Sequence, residues 1–437
     1  MQPDFCHLTS FIKINPELKL LISNILTSND NFWIVGGCLR NSLLHLPQVD
    51  IDLACSGDPT SLAQSWSKEI SGHWFWLDSK RQQSRVLLQS GLTLDFAPLR
   101  STTIIKDLYL RDFTVNALAL PVDESFPDCQ YLDPLNGIKH LEEKRLYCCS
   151  PQSFTDDPLR MLKGIRHAVT LDFELSEETL KRMYYSRELL ENSAGERIRD
   201  ELGKIFNSAN AVKGVDLLIS TGIFDVLFGS GGGNWDGHAA IEKIGDLNEK
   251  IDAIGLTDIE TLLMIKKNGT FSLRAIFLFS LLVKIYNPEN LDELLQKRLR
   301  LSRRQKLLIV ALQTELGVET VSLLEMIEGQ RRQALLAEQL GPFYLEKILF
   351  WGVCQNHVTL DRLIEVQKSF LKEQHLEHVP ALLNGRRISS LSGCQLGPKI
   401  GAWQNKLKLA EIKGEITTIS EAEKWLKNKL SFDKKEA

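Results

Sequence analysis

The chain has 437 residues, 43% hydrophobic and 25% charged, with a formal net charge of −4. That length exceeds a single compact core and implies roughly two to four domains. The balance of charge argues against a protein that coats nucleic acid indiscriminately, and the longest apolar stretch, Ala275 to Val283, is too short to span a bilayer.

The first residues, MQPDFCHLTSFIKINPELKLLI, contain no basic segment followed by an apolar core and a cleavage site, so no secretory signal is expected. Eight cysteines are scattered without a CxxC pair. Even the adjacent Cys148 and Cys149 make no zinc cluster by themselves, and a reducing cytoplasm fits this usage. No membrane partner is expected.

Between residues 30 and 130, β-branched runs (FWIV, VDIDLAC, RVLLQ, LTLDF) alternate with helix-like segments such as 58–70. After about residue 150 the strand pattern fades and helical spacing continues almost to the end. GSGGGNWDGH (229–238) reads as a linker, because clustered glycines cost too much entropy inside an element. The basic run Lys297, Arg298, Arg300, Arg303, Arg304 and Lys306 reads as a solvated helix face or as a local basic surface.

Trp33, Ile34 and Val35 form a buried-strand run that ends at Gly36 and Gly37, and a helix-like stretch with Leu39, Leu43 and Leu44 follows. Paired glycines between strand and helix leave backbone N–H groups open to a phosphate, and Arg40 supplies a countercharge one turn on. In VDIDL, Val49, Ile51 and Leu53 point to one face and Asp50 and Asp52 to the other. Two carboxylates about 6.5 to 7 Å apart along one strand converge on hard divalent cations, the arrangement that runs phosphoryl chemistry. LTLDFAPL adds Asp95 as a candidate third carboxylate.

GG-x-x-R followed by D-x-D resembles the head of the polymerase-β nucleotidyltransferase superfamily, and more narrowly the class II tRNA nucleotidyltransferases and bacterial poly(A) polymerases. RDFTVNALAL (111–120) is similar to the family's RRDFTxNA segment, and YLDPLNGIKHLEEKRL (131–146) to DPxxGxxDL. TDDPLRMLKGIRHAVTLDF (155–173) is similar to the EDxxR helix and ERIRDEL (196–202) to ERxxxE, while the stretch from LLNGRRISS to KGEI resembles the tail of tRNA nucleotidyltransferases. The resemblance implies an α/β nucleotidyltransferase (polymerase-β-like) head over 1–147, followed by all-α neck (148–228), body (239–350) and tail (351–437) domains. The neck would carry the nucleotide-selecting helix and the tail would bind RNA.

The resemblance also assigns roles. Asp50 and Asp52, with help from Asp95, would hold two Mg²⁺ ions. Gly36, Gly37, Arg40 and Arg111 would position the triphosphate, Asp112 and Asn116 would contact ribose and phosphate, and Lys163 and Arg166 would lie near the triphosphate. Asp157 and Arg160 are three apart, share a helix face, and together would read the Watson–Crick edge of cytosine or adenine, with Pro158 tolerated in the helix's first turn. Glu196, Arg197 and Glu201 would brace the neck. Asn41, Leu110, Asp156 and Lys163 stand where the family has Asp, Arg, Glu and Arg.

Only ten residues, STTIIKDLYL, separate Arg100 from Arg111. Relatives that add the terminal A carry a longer flexible segment here, and those that add only CC lack it. The expected activity is therefore addition of CC to the 3′ end of tRNA from CTP, with full CCA addition using ATP as the alternative. Poly(A) polymerase fits less well, because the chain ends in a modest SFDKKEA. A degenerate RNA-binding module is the non-enzymatic alternative. The helical half is expected to contact the acceptor and T-arm of tRNA by shape and phosphate contacts, and Arg386 and Arg387 depart from the family pattern at one tail helix start.

Overall fold

The computed structural model describes residues 6–47, 50–126, 130–229, 235–254, 271–314, 340–341, 343–354, 382–393, 397–412 and 415–433. The short apolar runs of the N-terminal third fold into a six-stranded sheet of order β3-β4-β5-β2-β1-β6. Its strands are β1 (Phe32–Val35), β2 (Asp50–Cys55), β3 (His73–Asp78), β4 (Gln83–Leu87), β5 (Thr93–Pro98) and β6 (Ala119–Val122). Around them lie helices α1 (Cys6–Ile14), α2 (Pro16–Leu26), α3 (Gly37–Leu43), α4 (Thr60–Glu69) and α5 (Ile104–Tyr109). β2 and β5 are parallel and the other neighbours antiparallel.

Alternation along the strands gives the sheet two different faces. Ile51, Leu53, Val86, Leu94 and Phe96 point to the face beneath α4, where Trp66 lies 6.0 Å from Phe96 and its indole donates to the Glu17 carbonyl of α2 at 3.1 Å. The opposite face carries Asp50, Asp52, Asp95 and Arg85. Beside β1 it is covered by a cluster of Val35, Ala54, Ile104, Leu108, Ala117 and Cys149.

The chain continues through α6 (Gly137–Glu142), β7 (Arg145–Leu146), α7 (Ser153–Asp156), α8 (Arg160–Thr170), β8 (Glu174–Leu175), α9 (Glu177–Ser186), α10 (Gly195–Phe206), α11 (Ala211–Ser220) and α12 (Ile223–Phe228). α8 buries Met161, Leu162, Ile165, Ala168 and Val169 and packs against α10 and α11. A local departure from the all-α expectation is β8, which pairs in parallel with β7.

The chain divides into two compact units, Met1–Gly231 with Pro288–Leu299, and Gly232–Asn287 with Arg300–Ala437. This is a coarser division than the four domains expected. The described residues of the second unit are mainly helical: α13 (Gly237–Ile254), Leu273–Tyr286, Arg303–Leu312 and Tyr344–Cys354 surround aromatics such as Phe277 and Phe350, 5.2 Å apart. Leu383, Ile388, Ile400, Trp403, Leu407 and Leu426 form a further core there. The tail helix Gly385–Ser392 begins at an Asn384 cap, and Arg387 pairs with Glu423 at 2.7 Å.

One expectation changes and another lies partly outside the described residues. The basic run is not one helix face: Lys297 pairs with Glu293 at 3.3 Å and Arg298 donates to the Val226 carbonyl at 3.0 Å in the first unit. Arg300, with φ 47°, then interrupts the chain before Ser302 caps Arg303–Leu312 in the second. Of the expected linker, Gly229 ends α12 with φ 78° and Gly237 opens α13, while 230–234 lie outside the described residues, as do Val49 and much of 351–437. No helix among the described residues is long and apolar enough to cross a membrane.

Candidate active site

The glycine turn and the carboxylate strand meet directly. β1 and β2 pair so that Val35 stands opposite Asp52, which carries the chain after β1 over the Asp52 side chain. Gly36 takes φ +83°, and a Cβ there would lie 2.8 Å from Asp52 Oδ2 and 3.2 Å from an Arg111 Nη. Only glycine fits both that backbone and that approach. Asp95 is the register partner of Asp52 on β5, and Thr93 that of Asp50, whose carboxylate accepts from the Thr93 hydroxyl. Asp95 is gripped in two-point fashion by Arg85, at 2.6 and 2.8 Å.

A second network surrounds Asn116. Its Oδ1 accepts from Arg40 Nη1, while the remaining Arg40 nitrogens donate to Asn41 Oδ1 at 3.1 and 2.8 Å. Asn41 therefore still binds Arg40 although it lacks the family's charge. Asn116 Nδ2 donates to Asp112 Oδ1 at 3.1 Å and lies 3.4 Å from His167 Nε2. Burial lowers Arg40 to about 10, with the Arg166 charge acting the same way. Burial alone would raise Asp112, but the Lys163 charge and the bonds from Asn116 and Phe113 N–H act against it and hold the carboxyl below its ordinary value.

Arg111 reaches toward Gly36 while donating to Asp107 Oδ2 at 3.3 and 3.2 Å. Asp107, only 1% exposed, also accepts from the Arg100 backbone at 2.9 Å and from its side chain at 3.3 Å. The ten-residue segment between the two arginines is thus no slack loop. It holds α5, capped by Thr103, and both its ends are tied to Asp107.

The Asp157–Arg160 pair is arranged differently from expectation. α8 begins at Arg160, so Asp157 and Pro158 precede it and do not share its face. Proline disfavours helix for the residue before it; Asp157 takes φ −149°, ψ 99° and its Oδ1 accepts from the Leu159 N–H at 3.2 Å. Its Oδ2 accepts from Arg197 at 3.1 Å. Arg160 instead donates to the carbonyls of Leu110 at 2.8 Å, Arg111 at 3.3 Å and Ser153 at 3.2 Å. Arg166 pairs with Glu201 at 2.9 Å and contacts His167 Nε2 at 3.0 Å.

Three site residues escaped the sequence reading, Arg85, Asp107 and His167, while Arg197, expected to brace the neck, pairs with Asp157. His167 was detectable, since Arg160, Lys163 and His167 follow helical spacing along one stripe of α8. The other two are fixed by a partner on a neighbouring strand and by a helix not anticipated there.

The carboxylates suit a hard divalent cation on charge grounds. Burial, with Asp95 and Asp50 adding to it, pushes Asp52 up to about 6 in spite of Arg111 and Arg85. A bound cation relieves that crowding. With Asp95 committed to Arg85, the fitting pair is Asp50 and Asp52, and among the described residues no group of three His, Cys, Asp or Glu side chains is assembled as a metal centre.

Residues 32–147 match the poly(A) polymerase head domain, and 172–230 match a probable RNA- and SrmB-binding site of polymerase A. A CC-adding tRNA nucleotidyltransferase of Geobacter sulfurreducens is 30% identical over 97% of both chains. Another, from Synechocystis, is 26% identical over 89% of this chain and 91% of the relative. A CCA-adding enzyme of Streptococcus pyogenes is 25% identical over 91% and 92%. The fold superposes on the tRNA complex of a Thermotoga maritima CCA-adding enzyme with a TM-score of 0.64 and 23% identity, covering 97% of this chain and 98% of that one. A CCA-adding enzyme complexed with CTP gives a TM-score of 0.66 and 24% identity over the same shares. A polymerase-β-like head, a glycine turn against paired carboxylates and a full-length relative at this identity lead to one statement: the chain belongs to the tRNA nucleotidyltransferase family.

Proposed function

We propose that this enzyme is a CC-adding tRNA cytidylyltransferase, transferring CMP twice from CTP to the 3′ end of tRNA with release of pyrophosphate and dependence on Mg²⁺. The observation that carries the reading is the Asp107 tie. The segment where a longer flexible loop would serve adenine addition is a capped helix whose two flanking arginines both pair with the buried Asp107. The full-length likeness to the Geobacter CC-adding enzyme supports it.

In this reading Asp50 and Asp52 would hold Mg²⁺, which would supply the positive charge that favours deprotonation of the RNA hydroxyl and departure of pyrophosphate. The Gly36 turn admits the triphosphate against backbone N–H groups, and Arg40, Arg111, Lys163 and Arg166 supply positive charge around it. Asn116 fixes Arg40 and Asp112 together, so the ribose contact and the phosphate contact move as one body. Asp112, held ionised, accepts from the ribose 2′-hydroxyl. Asp157 accepts from the amino group of cytosine, and Arg160 donates to its ring acceptors. Uracil and guanine, with a carbonyl at the amino position, are rejected.

The test is single-nucleotide incorporation, with labelled CTP alone and then ATP alone, into tRNA transcripts ending at the discriminator base, after one C and after CC. The expected result is two Cs on the first transcript and no A on the last. Efficient A addition to the CC-ended transcript shows a full CCA-adding enzyme and removes the meaning given to the short segment.

A further inference from the structure

The open face of the sheet extends past the carboxylates. Directly paired residues on neighbouring strands project to the same face, and the pairing runs from Asp52 to Asp95, from Asp95 to Arg85 and from Arg85 to Phe75. On that face Phe75 is 40% exposed and Leu87, two residues from Arg85, is 38% exposed. The alternate residues of β4, Ser84 and Val86, are fully buried at 0%. β4 is therefore well packed beneath, while Phe75 and Leu87 above remain open to solvent. Phe75 lies three strand spacings from Asp52, about 14 Å, or on the order of two nucleotides.

Cations border this apolar floor. Arg85 sits between Phe75 and the carboxylates, its guanidinium oriented by Asp95 at 2.6 and 2.8 Å. The β3–β4 turn presents exposed Lys80 and Arg81, its backbone held by Asp78 Oδ1, which accepts from their N–H groups at 3.0 and 3.2 Å. An exposed aromatic for a base and flanking cations for phosphates is the chemistry of single-stranded nucleic-acid binding. The direction of approach agrees. Gly36, Arg40 and Arg111 gather beside β1, on the covered side of Asp52, which leaves the β5-β4-β3 side for a second substrate.

We propose that Phe75, with Leu87 beside it, is the floor on which the last bases of the RNA acceptor strand stack, aiming the 3′-hydroxyl at Asp50 and Asp52. This rests on the nucleotidyltransfer reading above, and it concerns the acceptor, not the incoming nucleotide.

The experiment compares wild type, Phe75→Ala and Phe75→Tyr in CMP incorporation into a tRNA transcript ending at the discriminator base. CTP affinity is measured separately by equilibrium titration without RNA. Phe75 is exposed, so neither variant disturbs the core. Phe75→Ala is expected to lower kcat/KM for tRNA roughly tenfold with CTP affinity unchanged, and Phe75→Tyr to restore it to within about twofold. Unchanged kcat/KM for tRNA in Phe75→Ala overturns the floor, and a parallel loss of CTP affinity overturns it by placing Phe75 on the nucleotide side. An altered sedimentation coefficient with unchanged kcat/KM overturns it in favour of contact between copies of the chain. Should wild type incorporate no CMP, the nucleotidyltransfer reading fails by itself, and the floor is then judged by gel shift. It requires that removing the last two nucleotides of the tRNA weaken binding to wild type and not to Phe75→Ala.

Discussion

Arg160 Nη2 donates to the carbonyl oxygen of Leu110 at 2.8 Å, tying the first turn of α8 to the turn that carries Arg111 and Asp112. The same guanidinium serves Arg111 and Ser153 carbonyls, so one planar fork locks together two segments far apart in the chain. Lysine cannot reproduce that geometry. Arg160→Lys is expected to lower kcat/KM for CTP by roughly ten- to a hundredfold, since hydrogen bonds from a charged donor are worth about 1.5 to 3 kcal/mol each. Steady-state kinetics with CTP varied at saturating tRNA checks this; wild-type efficiency would show that the fork is dispensable.

Asp107 should be a linchpin of stability. Burial works to raise its carboxyl, but Arg111 and Arg100 outweigh it and hold it below the ordinary value. A carboxylate whose folded-state pKa lies below the unfolded one stabilises the protein above the unfolded value of about 3.9, and that contribution fades as pH falls through the folded value. Asp107→Asn leaves two arginines without their shared partner and is expected to cost about 3 kcal/mol at neutral pH. Urea unfolding at neutral pH and in acid below about 3.9 should find the difference between variant and wild type shrinking in acid. An equal difference at both pH values would contradict the ion-pair account.

His167 is buried, and burial with the Arg166 and Arg40 charges holds its pKa well below the usual value, so the imidazole is neutral. Neutral Nε2 accepts from Arg166 and faces Asn116, and the ring meets Phe113 edge-on at 6.1 Å. His167→Phe keeps the packing and removes the acceptor. The preference for CTP over dCTP, measured as a ratio of kcat/KM values, is expected to shrink about five- to tenfold, because Asn116 and with it Asp112 lose a fixed position. An unchanged ratio would limit His167 to packing.

Gly164 lets α8 close on the turn below it. A Cβ there would lie 2.5 Å from Met183 Cε and 2.7 Å from Phe113 Cζ. Alanine favours the helix by about 1 kcal/mol, but overpacking of this kind costs about 1 to 3 kcal/mol. Gly164→Ala is therefore expected to lower the melting temperature, and a rise would mean that Phe113 yields easily.

How much of this was legible beforehand depends on the range of the contacts. The Gly36 turn and the Asp50 and Asp52 pair are written locally, in a strand that ends at glycines and in period-two alternation, and the structure brings Gly36 onto Asp52. α4 is likewise announced by its own spacing. β3 is not, because HWFWLD lies at the sheet edge with exposed side chains and shows no alternation. The Asp157–Arg160 pair was misjudged by treating sequence spacing as helical spacing across Pro158. Asp107 drew no attention inside a short connecting segment, since its meaning comes from Arg100 and Arg111, which only the folded helix α5 brings to it.

The central claim is that the paired carboxylates opposite the Gly36 turn carry out CMP transfer. It is tested most directly by single-turnover incorporation of CMP by Asp52→Asn, with tRNA binding measured alongside. Asparagine keeps the size and loses the charge, so transfer should fall roughly a hundredfold or more while tRNA affinity stays at the wild-type level. Transfer within about threefold of wild type would contradict the account.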